Sequence, residues 1–191
     1  TTAQLTADGK WLQNQMQDRH ITKDEWEKYK CITGDIVVVK SSGSSANIIT
    51  GKCGYIDKDE SENFSFSNFL LRVRPKKIAN KFLYYFLYSN LTKQRIEKMV
   101  AATTYPNLKV EEYKNAIIFL PEKDEQNLII SHLDKKTKFI DELLFKKEKK
   151  IKRLKEYKVA LINEAVTKGI NPNAKMKNSQ IKEIGNIPSH W

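Results

Sequence analysis

The nearest thing to a nuclease signature in this chain is Glu112-x-Lys114. A magnesium-dependent nuclease gathers several carboxylates and a lysine around its metal. No upstream acid stands in a strand-turn context to complete that set, so the pair reads as chance. An amino-methyltransferase needs an Asn/Asp-Pro-Pro-aromatic loop and a glycine-rich cofactor turn. Tyr105-Pro106-Asn107 and Asn171-Pro172-Asn173 do not meet that pattern, and no GxGxxG, P-loop or HExxH is present. His20, His132 and His190 are scattered and read as surface or helix-face residues. Cys31 and Cys53 have neither CxxC spacing nor a neighbouring histidine pair, so a zinc site or disulfide framework is not expected and a reducing cytosol fits. The expectation is a chain with no catalytic residues, no cofactor and no metal.

Binding chemistry is better represented. Lys40 to Asn47 (KSSGSSAN) can offer backbone amides and hydroxyls to phosphate oxygens, with Lys40 and Lys52 adding charge. A flexible hairpin connection accounts for the same residues equally well. Arg72, Arg74, Lys76, Lys77, Lys81, Lys93, Arg95 and Lys98 are met by one acid, Glu97. They can follow a nucleic-acid backbone or form a solvated helix face, and the charge excess tilts toward DNA. Thr103 to Asn107 can reach base edges, since Asn pairs with adenine and Thr meets the thymine methyl, although an ordinary loop is the commoner meaning. The candidate DNA contacts are Lys40, Ser42, Ser44, Lys52, Thr104, Tyr105 and Asn107.

The overall charge agrees. The 191 residues carry a net +11, which calls for a polyanionic partner, nucleic acid ahead of an acidic membrane surface. The excess is spread out: +5 over residues 1–121, +4 over 122–168 and +2 over 169–191. No apolar run approaches the ~20 residues of a membrane span, and no signal peptide is visible.

These residues need elements to hold them. Residues 1–19 are polar and show no period. Thr22 with Glu25 forms a capping-box pattern for a short helix. Gly34-Asp35 sets a turn before Ile36-Val37-Val38-Val39, a β-branched run that predicts a buried strand. A further strand pair is expected around Gly51, from Ile48-Ile49 and Cys53 to Ile56. Asp57 to Glu62 should be an exposed loop, and Phe64 to Arg74 a strand ended by Pro75. Phe82, Tyr85, Phe86, Ile96 and Val100 share one face at helical spacing, so residues 81–100 predict an amphipathic helix or helix pair. Residues 101–108 read as a loop, and Ala116 to Leu120 as a short strand stopped by Pro121.

From about Lys123 to Thr167 there is neither proline nor glycine. Ile130, Leu133, Ile140, Leu144, Ile151, Leu154, Leu161 and Ala165 recur at alternating spacings of three and four, with Thr137, Lys147 and Lys158 at the intervening seam positions. That is a heptad seam with polar interruptions. Roughly 40 residues at ~1.5 Å each make a rod about 60 Å long. Gly169 is placed to cap it, with Pro172 beyond. Such a rod must pack against a second helix, either in a generic dimer or as a ruler between two DNA readers.

In this order the features resemble the specificity subunit of type I restriction-modification systems. Gly34 to Ser44 (GDIVVVKSSGS) is similar to that family's "GDI-hydrophobic-SGS" segment, and Ser67 to Pro75 resembles a later strand of the same domain. Phe119-Leu120-Pro121, Glu125-Gln126 and His132-Leu133-Asp134 resemble the "LPP-x-x-EQ…LD" start of its spacer helix, with Glu122 in place of the second proline and Lys123 where leucine is common. Lys155 to Gly169 is similar to the end of that helix, and Ile184 to Trp191 (IGNIPSHW) to the "IG-x-IP-x-HW" opening of the next recognition domain. The resemblance implies a domain that reads one half of an interrupted DNA site in the major groove. It further implies paired helices that fix the gap and dock methyltransferase subunits, and partner subunits that supply methylation and cleavage.

The resulting expectation is an α+β fold. A mixed, β-rich recognition domain over 1–121 precedes a long coiled-coil-forming helix over 122–168 and a tail over 169–191. The expected partners are double-stranded DNA, methyltransferase and restriction subunits, and a second specificity half or an identical chain, in the cytoplasm and away from any membrane. One recognition domain and one helix, where a full subunit has two of each, suggest a fragment, a truncated product or a dimerising half-subunit. Two rivals stand beside this: a stand-alone dimeric repressor or decoy, and a scaffold protein whose charge is incidental.

Overall fold

In the computed structural model the described residues are 5–6, 9–11, 20–41, 43–44, 47–57, 64–100 and 107–191. The chain divides into two compact units, Thr1–His132 and Leu133–Trp191.

The first unit is built around β1 (Ile36–Val39), whose four side chains are all inaccessible to solvent. β4 (Cys53–Tyr55) and β5 (Leu70–Val73) flank it, both antiparallel, in the order β4-β1-β5. Successive strand residues face opposite sides, and here both sides are covered. Val37 and Val39 pack with Leu5, Trp11, Cys31, Ile56, Phe64 and Leu70. Ile36 and Val38 pack with Cys53, Leu83, Leu87, Ile96, Val100 and Leu108. A strand buried on both faces has no use for polar alternation, which is why the sequence reads as an unbroken β-branched run.

The second face is covered by a helix pair, α2 (Asn80–Tyr88) and α3 (Asn90–Val100). Ser89 separates them in an extended conformation. Its hydroxyl and that of Thr92 both donate to the Phe86 carbonyl, at 2.7 and 2.8 Å, so side chains satisfy the end of α2. Buried positions are Phe82, Leu83, Leu87, Thr92, Ile96 and Val100, whereas Tyr85 and Phe86 are only half-buried. The predicted apolar face was thus displaced by about one position in α2. The α1 helix (Lys23–Tyr29) carries the expected capping box: the Glu25 amide donates to the Thr22 hydroxyl, and the Thr22 amide donates to the Glu25 carboxylate at 2.9 Å.

Several expectations need correction. Ile48 and Cys53 do not belong to one strand pair. β2 (Gly43–Ser44) pairs with β3 (Asn47–Ile48) as a small separate hairpin inside the expected loop, while β4 joins β1. The Gly51 amide donates to the Val39 carbonyl and the Val39 amide to the Lys52 carbonyl, so the turn is drawn onto β1. Gly51 has φ +84°, and a Cβ there would collide with Ile96. The strand expected over 64–74 is confined to β5, with Ser65 contributing an isolated bridge to Lys30. Residues 116–120 are not a strand, because among the described residues nothing pairs with them. The short α4 (Val110–Lys114) precedes them. Of the expected acidic loop only Asp57 is described, and it is exposed.

α5 (Lys123–Lys168) is a single helix of 46 residues. It begins in the first unit and continues into the second. Gly169 ends it at φ +74°, with its amide on the Ala165 carbonyl. The tail then forms a hairpin from β6 (Met176–Asn178) and β7 (Asn186–Pro188), which no periodicity signalled. In the second unit Pro188 and Trp191 come near Gly169 and help line a hollow of about 280 Å³ beside the helix end.

Candidate nucleic-acid interface

Three of the predicted contact residues, Lys40, Lys52 and Asn107, fall at one end of the three-stranded sheet. β1 runs out at Val39, and the next two residues each take a partner from a different segment. The Lys40 amide donates to the Phe69 carbonyl at 2.8 Å, and the Leu108 amide donates to the Lys40 carbonyl at 2.7 Å. Ser41 and Asn107 form an isolated antiparallel bridge. Lys52 lies opposite Val39 through a 2.8 Å backbone bond. Lys40, Ser41, Lys52 and Asn107, far apart in sequence, therefore share one sheet end. The β2–β3 hairpin, which contains Ser44, leaves from the same place. Ser42, Thr104 and Tyr105 lie outside the described residues.

The members differ in freedom. Asn107 is exposed and Lys40 half-buried. The Lys52 ammonium is turned inward, donating to the Leu5 carbonyl at 2.8 Å, so one of its donors serves the fold. The same holds for the arginines of the basic stretch. Arg72 donates to the Lys30 carbonyl at 2.6 Å and covers the Phe66 ring, and Arg95 donates to the Ile117 carbonyl. Arg74 makes a two-pronged pair with Asp35, at 2.6 and 2.7 Å. Asp35 is wholly buried and also accepts from the Ile32 amide, and its hydrogen bond and charge raise the Arg74 pKa. Among the lysines, Lys81 lies over Tyr55 and Lys93 is 3.9 Å from Glu97, while Lys76, Lys77 and Lys98 are exposed. The stretch is thus neither a continuous phosphate track nor a plain solvated face. Its arginines fasten separate segments, because guanidinium can bridge carbonyls and carboxylates that sequence keeps apart.

A cavity of about 490 Å³ adjoins the Gly51 turn, lined by Thr50, Lys52, Tyr88, Asn90, Lys93 and Glu97 among others. Cys53 also borders it, but burial pushes that thiol up to about 12, and Cys31 likewise, so neither is poised as a nucleophile. Among the described residues no group of three or more His, Cys, Asp or Glu could hold a metal ion. No helix there is long and apolar enough to cross a membrane.

The heptad residues present a different surface. Ile130 and Leu133 are half-buried, whereas Ile140, Leu144, Ile151, Leu154 and Leu161 are 51–56% exposed. The single buried residue of α5 is Gln126, which was noticed in the sequence only as part of a motif.

One end of the small sheet thus carries Lys40, Ser41, Lys52 and Asn107, and the chain continues into a long helix with an open apolar seam. A family model described as type I restriction modification DNA specificity domain matches residues 10–153. The chain belongs to this family, and its role is DNA sequence recognition within restriction-modification systems. No curated protein matches the chain.

Proposed function

We propose that this chain reads one half of a bipartite DNA site through the Lys40–Asn107 end of its sheet, and that α5 pairs with a second spacer helix and docks methyltransferase subunits. The reading rests chiefly on Lys40, Ser41 and Asn107 meeting at one sheet end. Backbone amides, the Ser42 and Ser44 hydroxyls and the Lys40 ammonium hold phosphates and set register; Asn107, with Thr104 and Tyr105, addresses bases. Methyl transfer and cleavage belong to methyltransferase and restriction subunits bound to the same assembly.

The exposed seam of α5 supports pairing, since five large aliphatic residues in heptad register are otherwise left in water. Its charge supports an antiparallel partner. Residues 123–145 carry four Lys against five acids, and residues 146–168 nine Lys and Arg against three acids. In a parallel, in-register pair Lys147 and Lys158 would each face their own copy. In an antiparallel pair they no longer face their own copies, and the basic half lies on the acidic half.

The deciding experiment is methylome mapping of a host that carries this chain with its methyltransferase. A split motif is expected. A palindromic one indicates paired identical chains, and an asymmetric one a different second half. A continuous motif, or none while the chain binds DNA alone, overturns the proposal in favour of a stand-alone binder.

A further inference from the structure

α5 keeps 46 residues helical and buries only Gln126, which is 3% exposed. Both ends of its carboxamide are used. Oε1 accepts the Ala79 amide at 3.0 Å, and Nε2 donates to the Pro121 carbonyl at 2.8 Å. Ala79 is the N-cap of α2 and has no side-chain cap bond. Gln126 therefore does from another helix what the third residue of a capping box does locally, satisfying the N-cap amide. The neighbouring Asn80 donates Nδ2 to the Gly34 carbonyl at 2.9 Å, where the chain turns into β1. At Gly34, φ is +91° and a Cβ would strike that same carboxamide. A run of polar contacts thus leads from the start of β1, through the first residues of α2, to the first turn of α5.

An apolar side chain of similar size would fill the same space and cost no buried polar group. A carboxamide adds direction, because one bond fixes it to the lead-in of its own helix at Pro121 while the other reaches the start of α2 at Ala79. Both are satisfied together only when the first turn of α5 and α2 hold one orientation. Direction at a helix root matters in proportion to length. A tilt of about 6° moves the far end of a ~60 Å rod by about 6 Å, nearly two base-pair steps of ~3.4 Å.

We propose that Gln126 is a positioning residue for spacer length: through Ala79 and Pro121 it sets how α5 leaves the sheet, and so which gap between half-sites is accepted. This rests on the bipartite reading above.

The test uses the assembled complex of this chain with its methyltransferase subunits. Methylation is scored on duplexes with the native split site, with the spacer one base pair longer or shorter, and with single changes in each half-site. Gln126→Met keeps volume and removes both bonds; Gln126→Glu keeps the acceptor for Ala79 and loses the donor to Pro121. For Gln126→Met the preference for native over altered spacer should fall roughly tenfold, with an intermediate fall for Gln126→Glu and unchanged base preference within the half-sites. Spacer preference within about twofold of the parent, in whichever variant folds, overturns the inference while leaving the bipartite reading intact. So does a parallel loss of spacer and base preference, which marks general loosening. A parent complex indifferent to spacing removes the bipartite reading and this inference together.

Discussion

β1 and α5 are both apolar patterns, yet they are satisfied in opposite ways. The four side chains of β1 are wholly enclosed by residues of the same chain, from Leu5 to Leu108. α5 is more than ten times longer and buries one residue. A strand between two covered faces obtains its partners within the fold. The seam of α5 is left open by the described residues, and in the proposed reading a second spacer helix covers it. The first arrangement makes a stable platform, and the second leaves an apolar surface available for pairing.

That contrast can be broken at several points. The largest effect is expected inside the platform. Arg74→Ala leaves the enclosed Asp35 carboxylate with the Ile32 amide as its side-chain partner among the described residues, and should cost about 3 kcal/mol of stability, read as a lowered urea midpoint. Arg74→Ala with Asp35→Ala should recover part of that loss. On α5 the cost should fall on association instead. Leu144→Asp with Ile151→Asp is expected to weaken chain pairing about 100-fold or more in sedimentation, while the thermal transition of the sheet domain stays put. Lys147→Leu with Lys158→Leu should strengthen pairing. If either pair of changes shifts only the sheet transition, the seam is not an interface.

At the reading end the effects are smaller. Asn107→Ala should weaken binding to the cognate half-site by about 1–2 kcal/mol and relax the base preference at one position. Lys40→Ala should weaken binding to all sequences alike and reduce the salt slope by about one unit. An Asn107→Ala protein with unaltered base preference would put reading elsewhere.

The thiols make themselves felt only at high pH. Burial raises Cys31 and Cys53 from 9.0 to about 12, so between those values the folded chain holds protons that the unfolded chain releases. Stability is therefore complete below about pH 9 and declines as pH rises. A urea midpoint followed from pH 8 to 10.5 should fall less steeply in the Cys31→Ala, Cys53→Ala variant than in the parent.

Local sequence carried the periodic elements well. Thr22 with Glu25, the β-branched run at 36–39, the two helices over 80–100 and the uninterrupted helix to Gly169 all follow from short-range rules of capping, branching and spacing. It failed where pairing partners are distant. Ile48 and Cys53 adjoin the same turn yet belong to different sheets, and residues 116–120 have strand composition but no strand among the described residues pairs with them. Leu5 and Trp11 sit in a polar opening without a period, yet both enter the core.

The candidate site divides the same way. Its chemistry was legible: a lysine, hydroxyls and an amide beside a strand, and arginines in a basic stretch. That Lys40 and Asn107 meet, that Lys52 turns toward Leu5, and that Arg72, Arg74 and Arg95 are occupied by the fold depends on backbone crossings. By itself the sequence determined which segments are helices, which run is buried and where the charge lies, because those depend on neighbours a few residues apart. Only tertiary structure decided which polar groups the fold itself occupies and that Gln126 bonds Ala79, because each depends on a partner tens of residues away.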